Sequence, residues 1–161
     1  MGVNVNQDWE TLGFRVVRSA RAEDVSGFGS FIQGARWNEA RVHALYVAET
    51  RSLAALEALV HNIQRVGVNQ FALVEVRLPP GLDRVEYPEP HCPSIAASRA
   101  FGTRWLQSHA QPLLRVPSAV VPGEWNWVIN PQHTSVVQHI ESGLRVKPFA
   151  FDARFWRDDS E

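Results

Sequence analysis

The most regular apolar pattern in the chain lies between residues 52 and 66, where apolar side chains recur at steps of three and four residues. This spacing is typical of an amphipathic helix. The stripe consists of Leu53, Leu56, Leu59, Val60 and Ile63. Glu57 lies four residues after Leu53 and three before Val60, so the sequence predicts a carboxylate on or beside the apolar stripe.

A carboxylate in that position has two interpretations. If Glu57 is buried, it must be paired, hydrogen-bonded or functional, because burying an unpaired charge costs several kcal/mol. Arg36 is the nearest upstream side chain that would share its site. In the plainer interpretation, Glu57 lies at the edge of the stripe and reaches solvent.

Alternation of apolar and polar residues predicts a strand over residues 71–78. Shorter apolar runs predict further strands over residues 14–17, 42–48, 113–116, 119–121, 125–129 and 146–151. A second helix is predicted over residues 94–108. The Gly- and Ser-rich segment 18–31 is expected to be a lid or loop with weak helical character, and the Pro-rich segment 83–93 a surface loop.

The composition indicates one domain spanning residues 1–161. Of the 161 residues, 45% are hydrophobic and 20% charged, which suits one globular core and leaves too little chain for two. Ten glycines and ten prolines predict many turns and argue against a helical bundle. Helices interrupt the strands irregularly, so the expected class is α+β: a single compact domain of short, mostly antiparallel strands with flanking helices.

Charge and cysteine content restrict the partners and the compartment. Sixteen basic and seventeen acidic residues give a net charge of -1, which supplies no overall field for nucleic acid or an acidic membrane. Cys92 is the only cysteine, so no disulfide framework is expected. No segment resembles a signal peptide or approaches the roughly 20 apolar residues of a membrane span. We therefore expect a cytoplasmic protein that binds neither nucleic acid nor membranes.

Two patterns that often mark ligand sites are weak in this chain. The run 27–30, Gly-Phe-Gly-Ser, follows no convincing strand and lacks the Lys and Ser/Thr of a phosphate-binding loop. The closest potential metal ligands are His91 with Cys92 and His133 with His139, and neither pair fits a recognised ligand spacing. The sequence therefore predicts neither a phosphate loop of this type nor a bound metal.

Four residues have both a structural and a functional interpretation. Ser118 is outside a Gly-x-Ser-x-Gly elbow, so its hydroxyl is expected to cap a turn or to position a ligand. Trp37 follows an arginine at a Gly-led turn, where it belongs to the core or stacks on a planar ring. Asn126 and Asn130 flank an apolar run and are expected to be structural unless a ligand lies close.

Six blocks, taken in order, resemble the RES domain family. They are Phe14-Arg15, Gly34-Ala35-Arg36-Trp37, Leu45-Tyr46, Leu53-Ala54-Ala55-Leu56-Glu57, Val116-Pro117-Ser118-Ala119-Val120 and Asn130-Pro131. The family is named for its Arg, Glu and Ser, which Arg36, Glu57 and Ser118 match by context. The resemblance covers residues 14–155. This chain departs from the family at residues 39–43, where Glu-Ala-Arg-Val-His replaces the more usual Pro and Gly residues.

The resemblance implies an enzyme of bacterial toxin–antitoxin systems. RES proteins are typically toxins with a core like that of ADP-ribosyltransferases, and they consume NAD+ by breaking its nicotinamide–ribose bond. NAD+ is then a substrate, no cofactor or metal is required, and the acceptor is water in a glycohydrolase or phosphate in a phosphorylase. Loss of NAD+ arrests growth. The family also implies an antitoxin partner with a helix-turn-helix DNA-binding domain that occludes the active site.

The roles of the site residues also follow from the resemblance. Glu57 would stabilise the positive charge that develops on the ribose as the bond breaks. Arg36 would hold the pyrophosphate, with Arg15 as a second candidate. The implied catalytic residues are Glu57, Arg36, Tyr46 and Ser118. The implied NAD+-binding residues are Arg36, Tyr46, Ser118, Trp37, Arg15 and Asn130.

Two other functions fit the same residues. With a different acceptor, the chain would be an ADP-ribosyltransferase that modifies a host protein, which requires an exposed docking surface beside Glu57. From a different class, it would be a non-enzymatic ligand- or protein-binding module in which Arg36 and Glu57 form a structural ion pair. The sequence does not decide whether the acceptor is water, phosphate or a protein side chain.

Overall fold

A computed structural model describes residues 8–62 and 70–156. Within these residues the strands are β1 (Glu10–Arg18), β2 (Leu45–Ala48), β3 (Phe71–Leu78), β4 (Arg84–Glu86), β5 (Leu113–Pro117), β6 (Trp125–Ile129) and β7 (Leu144–Phe149). The helices are α1 (Phe28–Gln33), α2 (Arg51–Asn62), α3 (Ile95–Ser108) and α4 (Thr134–Val137).

All these strands belong to one sheet, in the order β4-β5-β6-β2-β1-β3-β7. Neighbouring strands run antiparallel except β4 and β5, which are parallel. This confirms the expected α+β class with mostly antiparallel strands. Strand β1 pairs with β3 along its length, but with β2 at one described position, Phe14 with Ala48. The two strands therefore separate beyond that pair and leave a gap in the middle of the sheet.

Helix α2 lies on one face of the sheet because its small and apolar residues pack there. Leu53, Ala54 and Ala58 are buried in one cluster with Phe14 of β1. The hydroxyl of Thr50 caps the first turn by accepting a hydrogen bond from the Leu53 N–H at 3.1 Å. The alanines let the helix axis come close to the sheet.

The apolar stripe predicted for this helix is partly wrong. Leu56 and Val60 are exposed, because the line that faces the sheet runs through the alanines of α2 instead. Glu57 lies beside that line, as predicted, and is half-buried, which is between the buried and the solvent-exposed interpretations. The predicted helix is confirmed up to residue 62, and its predicted residues 63–66 lie outside the described part of the chain.

The buried side chains form three clusters on the two faces of the sheet. The largest joins one face of β2, β3 and β6 to residues from segment 19–25 and α4. On the opposite face, the second cluster lies under α2, and the third joins α3 to β5, β6 and Trp37. Since the second and third clusters are separate, that face has room for a cavity between them.

Several predicted segments differ from the observed ones. Residues 119–121 form a bend instead of a strand, because the Ser118 hydroxyl accepts hydrogen bonds from the N–H groups of Val120 and Val121, both at 3.0 Å. The predicted surface loop 83–93 contains β4, which pairs with β5. The strands predicted over 42–48 and 146–151 exist, but they are β2 and β7 with the bounds given above.

Part of the predicted lid is helical and fixed to the sheet. The Ser30 hydroxyl of α1 lies 2.6 Å from the Ala44 carbonyl oxygen and accepts from the Ala44 N–H at 3.1 Å. Gly27, with φ of 72°, precedes α1, and a Cβ there would lie 2.8 Å from the Ala44 backbone. Only glycine permits this approach, so the sequence fastens α1 directly before β2.

Candidate active site

A cavity of about 670 Å³ opens where β1 and β2 separate. Both strands line it, together with α1, α2 and the turn 35–37. The other side is lined by Val116, Pro117, Ala119, Val120 and Asn126, while Ser118 reaches the site through its bond to Glu57. This volume lies within the range of small-molecule sites, about 300–1,000 Å³. The sheet and helices thus bring together blocks that lie up to a hundred residues apart in the sequence.

Glu57 extends from α2 to one end of this cavity. Its Oε1 accepts a hydrogen bond from Asn126 Nδ2 at 2.7 Å and another from Ser118 Oγ at 3.0 Å. Within the described residues, no side chain donates to Oε2 of this carboxylate. One oxygen therefore fixes the carboxylate, and the other is left for a ligand.

Ser118 and Asn126 hold Glu57 from two adjacent strands. Ser118 is buried at the end of β5, where it both caps the bend and donates to the carboxylate, so its structural interpretation is confirmed and its contact with a ligand stays a prediction. Asn126 is paired with Ala48 of β2 and lies level with the point where β1 meets β2. The implied site set omitted Asn126. Its signal was a lone polar residue in the otherwise apolar strand β6.

Four arginines and two carboxylates line the cavity, so positive charges outnumber negative ones there. The arginines are Arg15, Arg18, Arg21 and Arg36, and the carboxylates are those of Asp24 and Glu57. Arg15 donates from Nη1 to the Asp24 carbonyl oxygen at 2.9 Å. Burial lowers the pKa of the Arg15 guanidinium, while the nearby Asp24 carboxylate opposes the shift. A buried arginine in a cavity is suited to bind an anion.

Arg36 lines the cavity but forms no ion pair with Glu57. Its Nη1 donates to the Pro93 carbonyl oxygen at 3.3 Å, and the ion pairs among the described residues do not include it. The structural ion pair of the binding-module hypothesis is therefore not formed. The positive and negative groups of the site are held apart by different partners.

Tyr46 of β2 joins the turn before it to the sheet. Its hydroxyl donates to Asn38 Oδ1 at 2.6 Å and accepts from the Trp37 N–H at 3.1 Å. Asn38 is fully buried, and its Nδ2 donates to the carbonyl oxygens of Ser30, Glu39 and Val42. Burial raises the pKa of the Tyr46 hydroxyl far above its ordinary value. Tyr46 is thus a neutral hydrogen-bonding group that shapes the cavity wall.

Two residues expected to bind NAD+ have structural partners instead. Trp37 borders the cavity but is 2% exposed, with its ring packed edge to face against Tyr87 at 5.0 Å. Its ring packs in the core, and its contact with NAD+ stays a prediction. Asn130 does not line the cavity, because its amide donates to the Leu106 carbonyl oxygen at 3.1 Å and its Oδ1 accepts from the Gln132 N–H.

The geometry favours a substrate with both anionic and cationic character. Guanidinium groups bind phosphate oxygens, and a fixed carboxylate stabilises a centre on which positive charge develops. Among residues 8–62 and 70–156, no three His, Cys, Asp or Glu side chains are grouped as metal ligands. None of the helices described there is long and apolar enough to cross a membrane.

Several known proteins are similar to this chain in sequence. The family model of the RES domain matches residues 13–154. A protein of Sphingobium sp. (strain YBL2), named Prs ADP-ribosylating toxin, is 40% identical over 160 residues, which cover 91% of this chain and 98% of that protein. Toxin Res of Yersinia enterocolitica is 34% identical over 145 residues, covering 86% and 95% of the two chains.

A solved structure has the same fold. A chain of the M. tuberculosis MbcT–MbcA toxin–antitoxin complex superposes with a TM-score of 0.62, covering 92% of this chain and 88% of that one. The sequence identity is 18%, so this likeness concerns the fold alone. The separated central strands and the cavity between them thus occur in a fold already seen in a toxin–antitoxin complex.

Proposed function

The chain belongs to the RES domain family of toxins, and from this premise we propose that it consumes NAD+ by breaking the bond between nicotinamide and ribose. One observation carries the proposal: a carboxylate oxygen fixed by two donors in a cavity lined by four arginines. NAD+ combines a pyrophosphate with a glycosidic carbon that becomes cationic as nicotinamide leaves. The cavity supplies a matching group for each.

Glu57 is the central catalytic residue of this proposal. As the bond breaks, positive charge develops on the ribose carbon and ring oxygen, and a carboxylate beside them stabilises the transition state more than the ground state. Because Ser118 and Asn126 hold Oε1, the free Oε2 faces the ribose without a cost of reorganisation. The bonding electrons leave with nicotinamide, and the acceptor oxygen then forms the new bond to the ribose carbon and loses its proton.

Arginine side chains of the cavity bind the pyrophosphate in this proposal. Arg15 is held by the Asp24 carbonyl oxygen and Arg36 by that of Pro93, so both guanidinium groups keep further N–H donors for phosphate oxygens. Tyr46 holds the turn that carries Arg36, through the N–H of the next residue, and so positions this arginine.

The acceptor defines two candidate activities. With water or phosphate as acceptor, the toxin is a glycohydrolase or phosphorylase that depletes NAD+ and arrests growth. With a protein acceptor, it is an ADP-ribosyltransferase, and the 40% identical relative named Prs ADP-ribosylating toxin favours this second candidate. Prs of the host cell is then the first acceptor to examine.

An antitoxin that covers the cavity completes the proposal. The fold likeness to a chain of a toxin–antitoxin complex supports such a partner. We expect the antitoxin to contain a helix-turn-helix DNA-binding domain, and both proteins to act in the cytoplasm, where NAD+ is available.

The test measures nicotinamide release from NAD+ by the purified protein, with water alone, with phosphate and with cell lysate. Glu57→Gln preserves the hydrogen-bonding shape and removes the charge, so release should fall by about 10²-fold or more. Glu89→Gln, an exposed residue outside the cavity, is the matched control. No release under any condition, or equal release by both variants, would contradict the proposed chemistry.

A further inference from the structure

We propose that Phe28 of α1 stacks on the adenine base of NAD+ and so fixes the end of the dinucleotide that does not react. The inference rests on the proposed function, since NAD+ supplies the ring. It gives α1, in a segment that the sequence analysis expected to be a lid or loop, a contact with the substrate.

Phe28 is the open end of a stack of three rings. Its ring lies 6.1 Å from that of Phe31 with an interplanar angle of 15°, and Phe31 lies 4.4 Å from the His43 ring at 23°. The His43 Nδ1 is 2.9 Å from the Ser26 carbonyl oxygen, which fixes the inner end. Phe28 lines the cavity and is 46% exposed. A planar ring in the cavity would continue the stack.

The support of α1 makes this ring a rigid platform. Gly27 allows the backbone to touch Ala44, and the Ser30 hydroxyl bonds to the same residue from one turn further on. Phe28 lies between these two anchors. An exposed phenylalanine that is held in place loses little conformational freedom when a base stacks on it, which favours binding.

The strand register identifies which base reaches Phe28. Asn126, which holds Glu57, is paired with Ala48, whereas α1 is fastened at Ala44. These two levels are four residues apart along an extended segment, about 13 Å at 3.3 Å per residue. The reacting nicotinamide–ribose bond must lie at the Glu57 end. The base at the α1 end, beyond both riboses and the pyrophosphate, is therefore adenine.

The first test compares the kinetics of three variants of Phe28. Phe28→Ala should raise KM for NAD+ by about 5- to 150-fold, the range for loss of one base–aromatic stack, with kcat little changed. Phe28→Trp should restore KM, and Phe28→Leu, which is apolar without a ring, should not. Ile32→Ala is the control, because Ile32 is 55% exposed on the same helix and does not line the cavity. An unchanged KM in Phe28→Ala would overturn the proposal.

The second test separates the two ends of the substrate without turnover. In a Glu57→Gln background, calorimetry would measure the Kd of ADP and of nicotinamide mononucleotide with and without Phe28→Ala. We expect weaker ADP binding by the same factor and an unchanged Kd for nicotinamide mononucleotide. Weakening of nicotinamide mononucleotide instead would place the other ring on Phe28 and overturn the assignment.

These measurements also distinguish failure of the inference from failure of the proposed function. If the wild-type protein releases no nicotinamide, the proposed chemistry fails, while Phe28-dependent ADP binding would still support the stacking site. If Phe28→Ala reduces only the modification of a protein acceptor and leaves KM and ADP binding unchanged, the residue belongs to a docking surface and the stacking proposal is wrong.

Discussion

Removal of the Asn126 side chain tests whether the fixed orientation of Glu57 matters for catalysis. Asn126→Ala deletes the 2.7 Å hydrogen bond to Oε1 and leaves the 3.0 Å bond from Ser118 in place. A hydrogen bond to a charged group contributes about 1.5–3 kcal/mol, and about 1.36 kcal/mol corresponds to a tenfold change in rate. If the whole contribution is used to position the carboxylate, kcat should fall by about 10- to 100-fold with KM nearly unchanged.

The assay is nicotinamide release at saturating NAD+, with thermal unfolding of each variant to confirm folding. Ser118→Ala is less clean, because that hydroxyl also caps the bend after β5. Both donors bind the same oxygen. The fall in kcat of the double variant, expressed as a free energy, should therefore be smaller than the sum for the two single variants, and the difference is their coupling energy. Asn126→Asp adds a carboxylate beside Glu57, which should raise the apparent pKa of the pair and move the activity profile to higher pH.

Two results would refute this reasoning. An unchanged kcat in a folded Asn126→Ala protein would mean that Ser118 alone orients Glu57, or that orientation is not limiting. A pH profile of Asn126→Asp that coincides with that of the wild type would show that the two side chains do not meet in the working enzyme.

Two further predictions concern the frame of the site. Tyr46→Phe leaves the Trp37 N–H and the Asn38 Oδ1 without the tyrosine hydroxyl, so the free energy of unfolding should drop by about 1–3 kcal/mol. Burial raises the Tyr46 pKa, so the protonated hydroxyl contributes its full stability below a pH of about 10 and loses it as the pH rises further. Urea unfolding should therefore show that the wild type and Tyr46→Phe differ less in unfolding free energy above this pH. Gly102→Ala places a Cβ 1.9 Å from the Trp37 carbonyl oxygen. This overpacking should destabilise the protein by about 1–3 kcal/mol or more, which exceeds the gain of about 1 kcal/mol in helix propensity, so Tm should fall.

Glu57 was predictable because one charge in a helical apolar period stands out within a single local segment. Asn126 was not, because its contact with Glu57 joins residues 69 apart in sequence, on elements whose register depends on the whole sheet. A polar residue in an apolar strand is the only local sign of this role. Patterns within one element therefore pointed to the carboxylate of the cavity but not to the residues that hold it.

The aromatic residues show the same limit in another form. Trp37 and Phe28 are both large rings near glycines in the sequence, and nothing local tells which ring has an open face. Long-range packing makes the difference. Trp37 is buried beside Tyr87 and Phe101, whereas Phe28 lies at the edge of the cavity on helix α1, whose close approach to Ala44 requires a glycine at position 27. Part of the segment predicted as a lid or loop is thus the helix α1, which lines the cavity.

The packing of α2 explains the small residues in the block Leu-Ala-Ala-Leu-Glu at residues 53–57. Ala54 and Ala58, on either side of Glu57, are buried against the sheet and also line the cavity. A larger side chain at either position would lift the helix, and a shift of about 1 Å would stretch the two bonds to Oε1 beyond the roughly 3.5 Å limit of a hydrogen bond. The alanines therefore belong to the candidate site although they carry no reactive group, because they set the distance at which the Glu57 carboxylate meets Ser118 and Asn126.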